Sequence, residues 1–463
     1  MLRKSALVLF LFTSLFVSHV ARADIDRTEK PADALPASVY TFSGISPEIN
    51  DDSDLAPLDH IIGDAHVVAL GEAIHTSGGF HDVRFRVVRH LIRDKGFRVL
   101  TLETPRLMSQ PLVDFIDSCR HTETVHTDYL HHAMAAMFPV FASETMSDML
   151  GWVCQFNMEH PNDPVSFTGF DMQETWLGSK AINETLSRKG ISPRVAAALK
   201  DITHCAEKNV RDKVSLELVQ SCSAIIDKEL DLLSQPKNTG MSNEQLGLLK
   251  MNLRSLRAHI MQFYLDGLGD STLNLAIQVR DEQMADNILA LNKLYWKNKR
   301  IIVWAHNQHV ERSGLSDQQP MNPTRKPFRN MGQFLSERLG EDYKTIGLLA
   351  FQLELNWPSV NATCAVGGRG VFKRPAELKL RMLDKPYLIV DTTAMRNDRN
   401  AFFAADKLYS FSQDSYGPIT QEYDGLIYLQ NSQAMTQVME PACPFTPDVP
   451  KPELTKEELE AIE

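Results

Sequence analysis

The sequence has no CxxC pair, no HExxH helix, no GxSxG elbow, no phosphate-binding P-loop and no complete GxGxxG. Each absence removes a class. Zinc of the finger or metalloprotease type, a serine-triad hydrolase and a nucleotide enzyme all lose their usual signature. After the first apolar stretch, no later run is long enough to cross a bilayer. Cations are also in deficit, because 48 Lys and Arg stand against 59 Asp and Glu for a formal charge of -11. A surface of that sign argues against nucleic acid as a partner.

What is present begins with a leader-like segment. Residues 1–23 have a basic start at Arg3 and Lys4, an apolar stretch over 6–17, and small residues Ala21 and Ala23 spaced for cleavage. That pattern predicts a secretory signal peptide cut near Ala23, and hence a periplasmic or secreted chain. No cysteine follows the expected cut, so a lipoprotein anchor is not expected. Loss of Arg3, Lys4 and Arg22 takes the formal charge from -11 to -14. In an oxidising compartment the six cysteines can persist as disulfides. Pairing of neighbours gives Cys119 with Cys154, Cys205 with Cys222, and Cys364 with Cys443.

Short β-branched and aromatic runs recur at 66–70 (HVVAL), 98–103 (RVLTLE), 165–171 (VSFTGFD), 300–306 (RIIVWAH), 345–351 (TIGLLAF), 387–391 (YLIVD) and 425–429 (GLIYL). They do not alternate strictly, which suits strands covered on both faces. Between the first two, Phe80, Val83, Val87, Val88 and Leu91 recur at helical spacing and Gly96 stops the helix, with Arg84 expected on its flank. The predicted fold class is α/β, a parallel-sheet core of three-layer type with a large helical insertion. The expected organisation is a signal peptide over 1–23, an α/β catalytic domain over 24–176 and 298–435, a helical insertion over 177–297, and a Pro-rich acidic tail over 436–463. The GGRG at Gly367 reads as a flexible loop.

Polar residues fall at one position on these strands. The first run leads into Glu72 and His75, the second ends in Glu103, the third in Asp171, and the fourth runs into His306, Asn307 and His309. Singly, each has a plain structural explanation, as a helix cap, a core hydrogen-bonder or, for Arg84 and Arg280, a surface ion pair. Together they mark the carboxyl edge of a parallel sheet, where ligands bind.

GEAIH at Gly71, Glu103 at its strand end, FTGFDMQ at Phe167, RDEQMADN at Arg280 and VWAHNQHV at Val303 together resemble the erythromycin esterase family. The resemblance runs from about Val67 to His309 in the family's order, with YDGLIYL at Tyr423 similar to its closing strand. It implies the EreA/ChaN-like fold and hydrolysis of an ester or lactone without a serine nucleophile. The family's proposed base, the histidine of GEAxH, falls on His75, with Glu72, Arg84 and Glu103 beside it and His306 and His309 in the AHNxH motif. Where many relatives continue with an acid and aromatics, this chain has Thr76, Ser77, Gly78, Gly79 and Phe80, and the glycine pair predicts an open, flexible lip.

The expected chemistry is attack of water on an ester carbonyl, with His75 taking the proton. Histidine suits that task because its ordinary pKa of about 6.5 lies near neutral pH. Glu72 or Glu103 would hold the ring, Arg84 would steer a carboxylate partner or stabilise the oxyanion, His306 and His309 would donate to the oxyanion or leaving group, and Asp171, Arg280 and Asn307 would bind substrate. No cofactor or metal is expected. Two other classes use the same residues: a metal-dependent hydrolase with Glu72, His75, Glu103, His306 and His309 as ligands, and a non-enzymatic periplasmic binding protein. The expected partner is a small-molecule ester or lactone, and no pattern specifies an oligomeric state.

Overall fold

The structure, a computed structural model, describes residues 35–135, 137–173, 215–234, 240–312, 328–357, 366–371, 375–396, 401–403 and 419–438, with positions 193, 196, 197 and 200. Among these residues there are nine strands, β1 (Val39–Thr41), β2 (Val67–Leu70), β3 (Phe97–Pro105), β4 (Ser166–Asp171), β5 (Arg300–Trp304), β6 (Tyr343–Trp357), β7 (Val366–Val371), β8 (Tyr387–Asp391) and β9 (Gly425–Ser432). They form one sheet in the order β1-β8-β9-β6-β2-β5-β3-β4, with β7 paired to β6. From β4 through β3, β5, β2 and β6 to β9 every pairing is parallel. The chain adds β8 antiparallel to β9, and β1 antiparallel to β8. Each of the seven predicted runs overlaps a strand of this sheet, the 300–306 run leaving its strand at Trp304, while β1 and β7 were not anticipated.

The helices are α1 (Ala56–Ile62), α2 (Gly78–Arg93), α3 (Gln110–Ser118), α4 (Thr127–Met134), α5 (Glu144–Glu159), α6 (Leu216–Ser234), α7 (Asn243–Gly267), α8 (Asp270–Tyr295), α9 (Asn307–Val310), α10 (Met331–Leu339), α11 (Pro375–Met382) and α12 (Ile419–Glu422). Side-chain alternation along each strand explains the layers. Val68 and Leu70, Leu100 and Leu102, and Ile302 and Trp304 enter one apolar core with α1 to α5. Val67 and Ala69, Val99, and Ile301 and Val303 enter the core on the opposite face, with α8, α10 and α11. Both faces are therefore covered, which is why the strands read as near-continuous apolar runs. The α6 and α7 helices share a smaller core of their own, built on Val219, Ile226, Leu253 and Ile260. Among the described residues no helix is long and apolar enough to cross a membrane.

Two sequence readings need correction. Arg84 is not on the flank of α2, because that helix is buried almost all round, and Arg84 is fully buried on the side facing the strand ends. The GGRG segment is no loop, since its backbone is ladder-paired along β6 from Gln352 to Trp357. Glycines carry no strand signal of their own, and the partner strand supplies the order. The Cys119–Cys154 disulfide is present, joining the end of α3 to α5. Cys222 is also disulfide-bonded. Cys205, Cys364 and Cys443, which complete the other expected pairs, lie outside the described residues, as do residues 1–34 and 439–463.

Chain order creates a crevice. From β2 the chain moves through α2 toward β3 and β4, whereas from β5 it moves the opposite way to β6 on the far side of β2. The carboxyl ends of the adjacent β2 and β5 thus form a topological switch point, where open α/β sheets bind their ligands.

Candidate active site

Register brings the polar residues level. Leu70 pairs with Trp304, and Trp304 with Leu102, so the residues following each project together at the carboxyl edge. Glu72 is buried there, with one carboxylate oxygen 2.6 Å from His75 Nδ1 and the other on the Arg84 guanidinium. Arg84 also donates to the carbonyls of Leu70, Gly71 and Ala305 and lies 4.2 Å from the centroid of the Trp304 ring. It ties the ends of β2 and β5 to the carboxylate and does not face the cleft.

His75 is the one member of this trio whose side chain is partly exposed, at 23 %. Its ring lies edge-on to Phe141 at 5.2 Å between centroids and 5.3 Å from the ring of His306. Nδ1 is committed to Glu72, and Nε2 has no hydrogen-bond partner among the described residues. A carboxylate only accepts, so Nδ1 carries the proton in the neutral ring and the outward Nε2 is left as the basic nitrogen.

The second group centres on Glu103. One oxygen accepts from Arg280 Nη2 at 2.7 Å and faces His309 Nε2 at 3.2 Å, while the other accepts from the His306 backbone N–H at 2.8 Å. Arg280 reaches back to Asp171 through Nε at 3.2 Å and Nη2 at 2.8 Å, and Asp171 also caps the Met172 N–H. On α8, Asn287 donates to the Phe170 carbonyl of β4 at 3.0 Å, which seats the helix that carries Arg280. On the other side of the His309 ring, Asp281 accepts from Nδ1 at 3.0 Å.

The two histidines of the AHNxH motif are held differently. His306 Nε2 faces the Ala73 carbonyl at 3.0 Å and Nδ1 accepts the Gln308 N–H at 3.2 Å, capping α9. A carbonyl can only accept and an N–H can only donate, so this ring is neutral with both nitrogens spent. The sequence expectation that His306 donates to an oxyanion does not fit that wiring. Asn307 is likewise turned inward. Its amide donates to the Leu348 carbonyl at 2.9 Å and accepts the Leu348 N–H at 3.2 Å, so it mends the sheet edge at β6 instead of meeting substrate. A Cβ on Gly71 would collide with the Asn307 side-chain oxygen, which fixes glycine at the first position of GEAIH.

Two participants lie outside the motifs that sequence reasoning used, and a third lies inside one without having been singled out. His81 donates through Nε2 to the His75 carbonyl at 2.9 Å, and its Nδ1 is 2.7 Å from Ser143 Oγ. Ser143 in turn accepts the Met146 N–H as the N-cap of α5. Asp281 sits inside the RDEQ stretch beside Arg280.

The lip is not open. Residues 433–438, following β9, form a strap between the segments at 76–79 and 142–144. The Gln433 carbonyl accepts from Gly78 N at 2.7 Å, Met435 N donates to the Thr76 carbonyl at 3.3 Å, Glu144 N donates to the Thr436 carbonyl at 2.8 Å, and Val438 N donates to the Ala142 carbonyl at 3.0 Å. A Cβ on Gly78 would stand 2.8 Å from the Ala434 carbonyl oxygen, and one on Gly79 would strike Ser432. The glycine pair admits a close backbone, and the tail expected from residue 436 begins as part of this strap.

The chain matches the sequence model described as Erythromycin esterase over residues 92–367, more than half its length. It belongs to the erythromycin esterase family. The matched span contains Glu103, Asp171, Arg280, His306 and His309, while Glu72, His75 and Arg84 precede it. This family member is 22 % identical over 426 residues to the Bacillus subtilis protein YbfO, whose name assigns it only provisionally to the hydrolases, covering 88 % of this chain and 90 % of that one. It is 23 % identical over 330 residues to an Escherichia coli erythromycin esterase type II, covering 66 % and 73 %. Its fold is similar to a solved Bacillus cereus protein (TM-score 0.66, 18 % identity, 87 % and 97 % covered) and to a mutant erythromycin esterase, EreC, in its open conformation (TM-score 0.65, 16 % identity, 87 % and 99 % covered).

Burial and charge divide the ionisable groups of this family member. Burial holds the His81 imidazole down at about 4 and, with the neighbouring His75 and His309, that of His306 at about 3. For Glu72, burial is outweighed by Arg84 and His75, and for Glu103 by His309 and Arg280, so both carboxyls lie below their ordinary range. Burial opposes charge on His309 too, but Asp281 and Glu103 raise it to about 10.

These directions fix a stability profile. His81 and His306 have folded values below the ordinary 6.5, so the unfolded chain takes up protons first once the pH falls below 6.5. Each can remove up to about 1.4 kcal/mol per pH unit until its folded value is reached. Glu72 and Glu103 withdraw their contribution below their ordinary 4.5. His309 acts in the opposite direction, with its contribution intact below 6.5 and lost as pH rises toward 10. Calorimetric Tm is expected to peak near pH 6.5 and fall on both sides; a flat Tm from pH 7 to 4.5 contradicts the assignment.

Proposed function

We propose that this protein hydrolyses a carboxylic ester or lactone by direct attack of water, with His75 as general base. One observation carries the reading: of His75, His81, His306 and His309, only His75 keeps a partly exposed ring with an uncommitted nitrogen. Glu72 fixes the tautomer that leaves Nε2 basic and stabilises the imidazolium formed as water attacks, and Arg84 holds Glu72. Hydrolysis as the reaction class is supported by family membership and by the names of the relatives. Macrolide lactones are one substrate class to test, since one relative is named for erythromycin.

A direct mechanism is favoured over a metal-bound water by the donor set. Among the described residues no group of three or more His, Cys, Asp or Glu is arranged to hold a metal ion. The acids of the site are instead neutralised by Arg84, Arg280 and His309.

The chain from Asp24 onward, assayed against a panel of carboxylic esters and lactones with His75→Ala beside it, tests the reading. Hydrolysis by the parent that disappears in the variant is the expected result. Saturable binding without turnover would replace the enzyme with a binding protein. We also propose export, supported by the leader pattern and by the Cys119–Cys154 disulfide, which suits an oxidising compartment. N-terminal sequencing of the secreted or periplasmic protein should begin at Asp24, and a retained Met1 in the cytoplasmic fraction would refute it.

A further inference from the structure

His309 lies between two carboxylates. Asp281 on α8 faces Nδ1 at 3.0 Å and Glu103 on β3 faces Nε2 at 3.2 Å. Carboxylates accept and do not donate, so both ring nitrogens must carry protons for both contacts to be favourable. The neighbouring Arg280 places Nη1 3.3 Å from the same Nε2. A protonated Nε2 cannot accept that donor. Arg280 Nη1 then has no acceptor among the described residues, although Nε and Nη2 are fully engaged, and the Arg280 side chain is 16 % exposed at the site.

We propose that Asp281 is a positioning residue: by keeping His309 doubly protonated it denies Arg280 Nη1 an internal acceptor, and so leaves that donor for the carbonyl oxygen of the substrate. The proposal rests on the hydrolase reading for what the donor meets, but not for the state of the ring. If Asp281 loses its charge, His309 can shed the Nε2 proton within the working pH range. The ring then accepts from Arg280 Nη1, which already lies 3.3 Å away, and the donor is consumed internally. Charge develops on the carbonyl oxygen during attack, so a donor held ready for it acts in the transition state.

The groups that set the ring's state come from every element around it: Asp281 and Arg280 from α8, Glu103 from β3, Asp171 from β4 behind Arg280, and His306 and Glu311 from its own segment. Asp281 also accepts the Met331 N–H at 3.0 Å, at the start of α10. In Asp281→Asn an oxygen at the Oδ2 position keeps both that bond and the one to His309 Nδ1, while the amide nitrogen replaces the Oδ1 that lies 2.8 Å from the ring and the charge is removed.

The test uses the full chain labelled at histidine, with the His309 resonance assigned by its loss in His309→Gln. In the parent, His309 should stay protonated from pH 6 to pH 9, and in Asp281→Asn it should titrate within that interval. On an ester substrate, kcat/KM of the variant relative to the parent should fall at least about tenfold more at pH 9 than at pH 6. A parent resonance that titrates near pH 6.5 overturns the proposal even if the variant fails to fold. So does a variant resonance that stays protonated to pH 9. If the parent hydrolyses no ester, the hydrolase reading fails while the resonances still decide the role of Asp281 for the ring.

Discussion

Replacing His75 by Ala should lower kcat on any ester the parent hydrolyses by roughly 10²- to 10⁴-fold, the range associated with losing a general base. Structural cost should be small. The side chain is partly exposed, and the framework around it is held by other groups, since Arg84 keeps Glu72 neutralised and His81 bonds to the backbone carbonyl of residue 75, which alanine retains. The two effects are separable by measuring Tm beside turnover. Tm should move by no more than a few degrees, and added imidazole should restore part of the rate, because the deletion leaves a space of the same shape beside Glu72. Turnover above a tenth of the parent's would remove His75 from the role. His306→Gln offers a contrast: the ring it replaces has both nitrogens spent on Ala73 and Gln308, so its loss should appear first in stability.

Arg84→Met should cost about 3–5 kcal/mol of stability, the penalty for leaving a buried charge without its partner. Arg84 and Glu72 both have fully buried side chains. Burial draws the guanidinium down to about 10, yet it remains cationic at neutral pH because Glu72 opposes the shift. Methionine fills the space over Trp304 but leaves the Glu72 carboxylate with His75 alone and the carbonyls of Leu70, Gly71 and Ala305 without that donor. Adding Glu72→Gln should recover part of the loss, and a double-mutant cycle by urea denaturation reads the coupling. A single-mutant loss below about 1 kcal/mol would show that the pair is not what holds β2 to β5.

The strands and their polar ends were legible because local chemistry controls them. Apolar runs such as HVVAL and RIIVW need cover on two faces, and an acid or imidazole just after each run can only lie at the carboxyl edge. What was illegible depends on partners far away in sequence. Arg84 reads as a surface cation until Glu72 and three carbonyls close around it. Asn307 reads as a site residue until Leu348 takes both ends of its amide. His81 and Ser143 are unremarkable in their own segments and acquire a role only where α2 and α5 meet. Gly78 and Gly79 signal freedom locally, whereas their packing partner is supplied by residues near the end of the described chain.

That last contact has a consequence for how the protein matures. Ser77 and Ser432, joined by a side-chain hydrogen bond beside the His75 loop, are 355 positions apart. Contacts of such separation form late, because the intervening chain must be ordered before they are rewarded. The loop that carries His75 is therefore expected to reach its final place only after the strand and strap at 425–438 have docked. A nascent chain that lacks 425–438 carries Glu72 and His75 without that support, so the candidate site is expected to be completed at the end of folding.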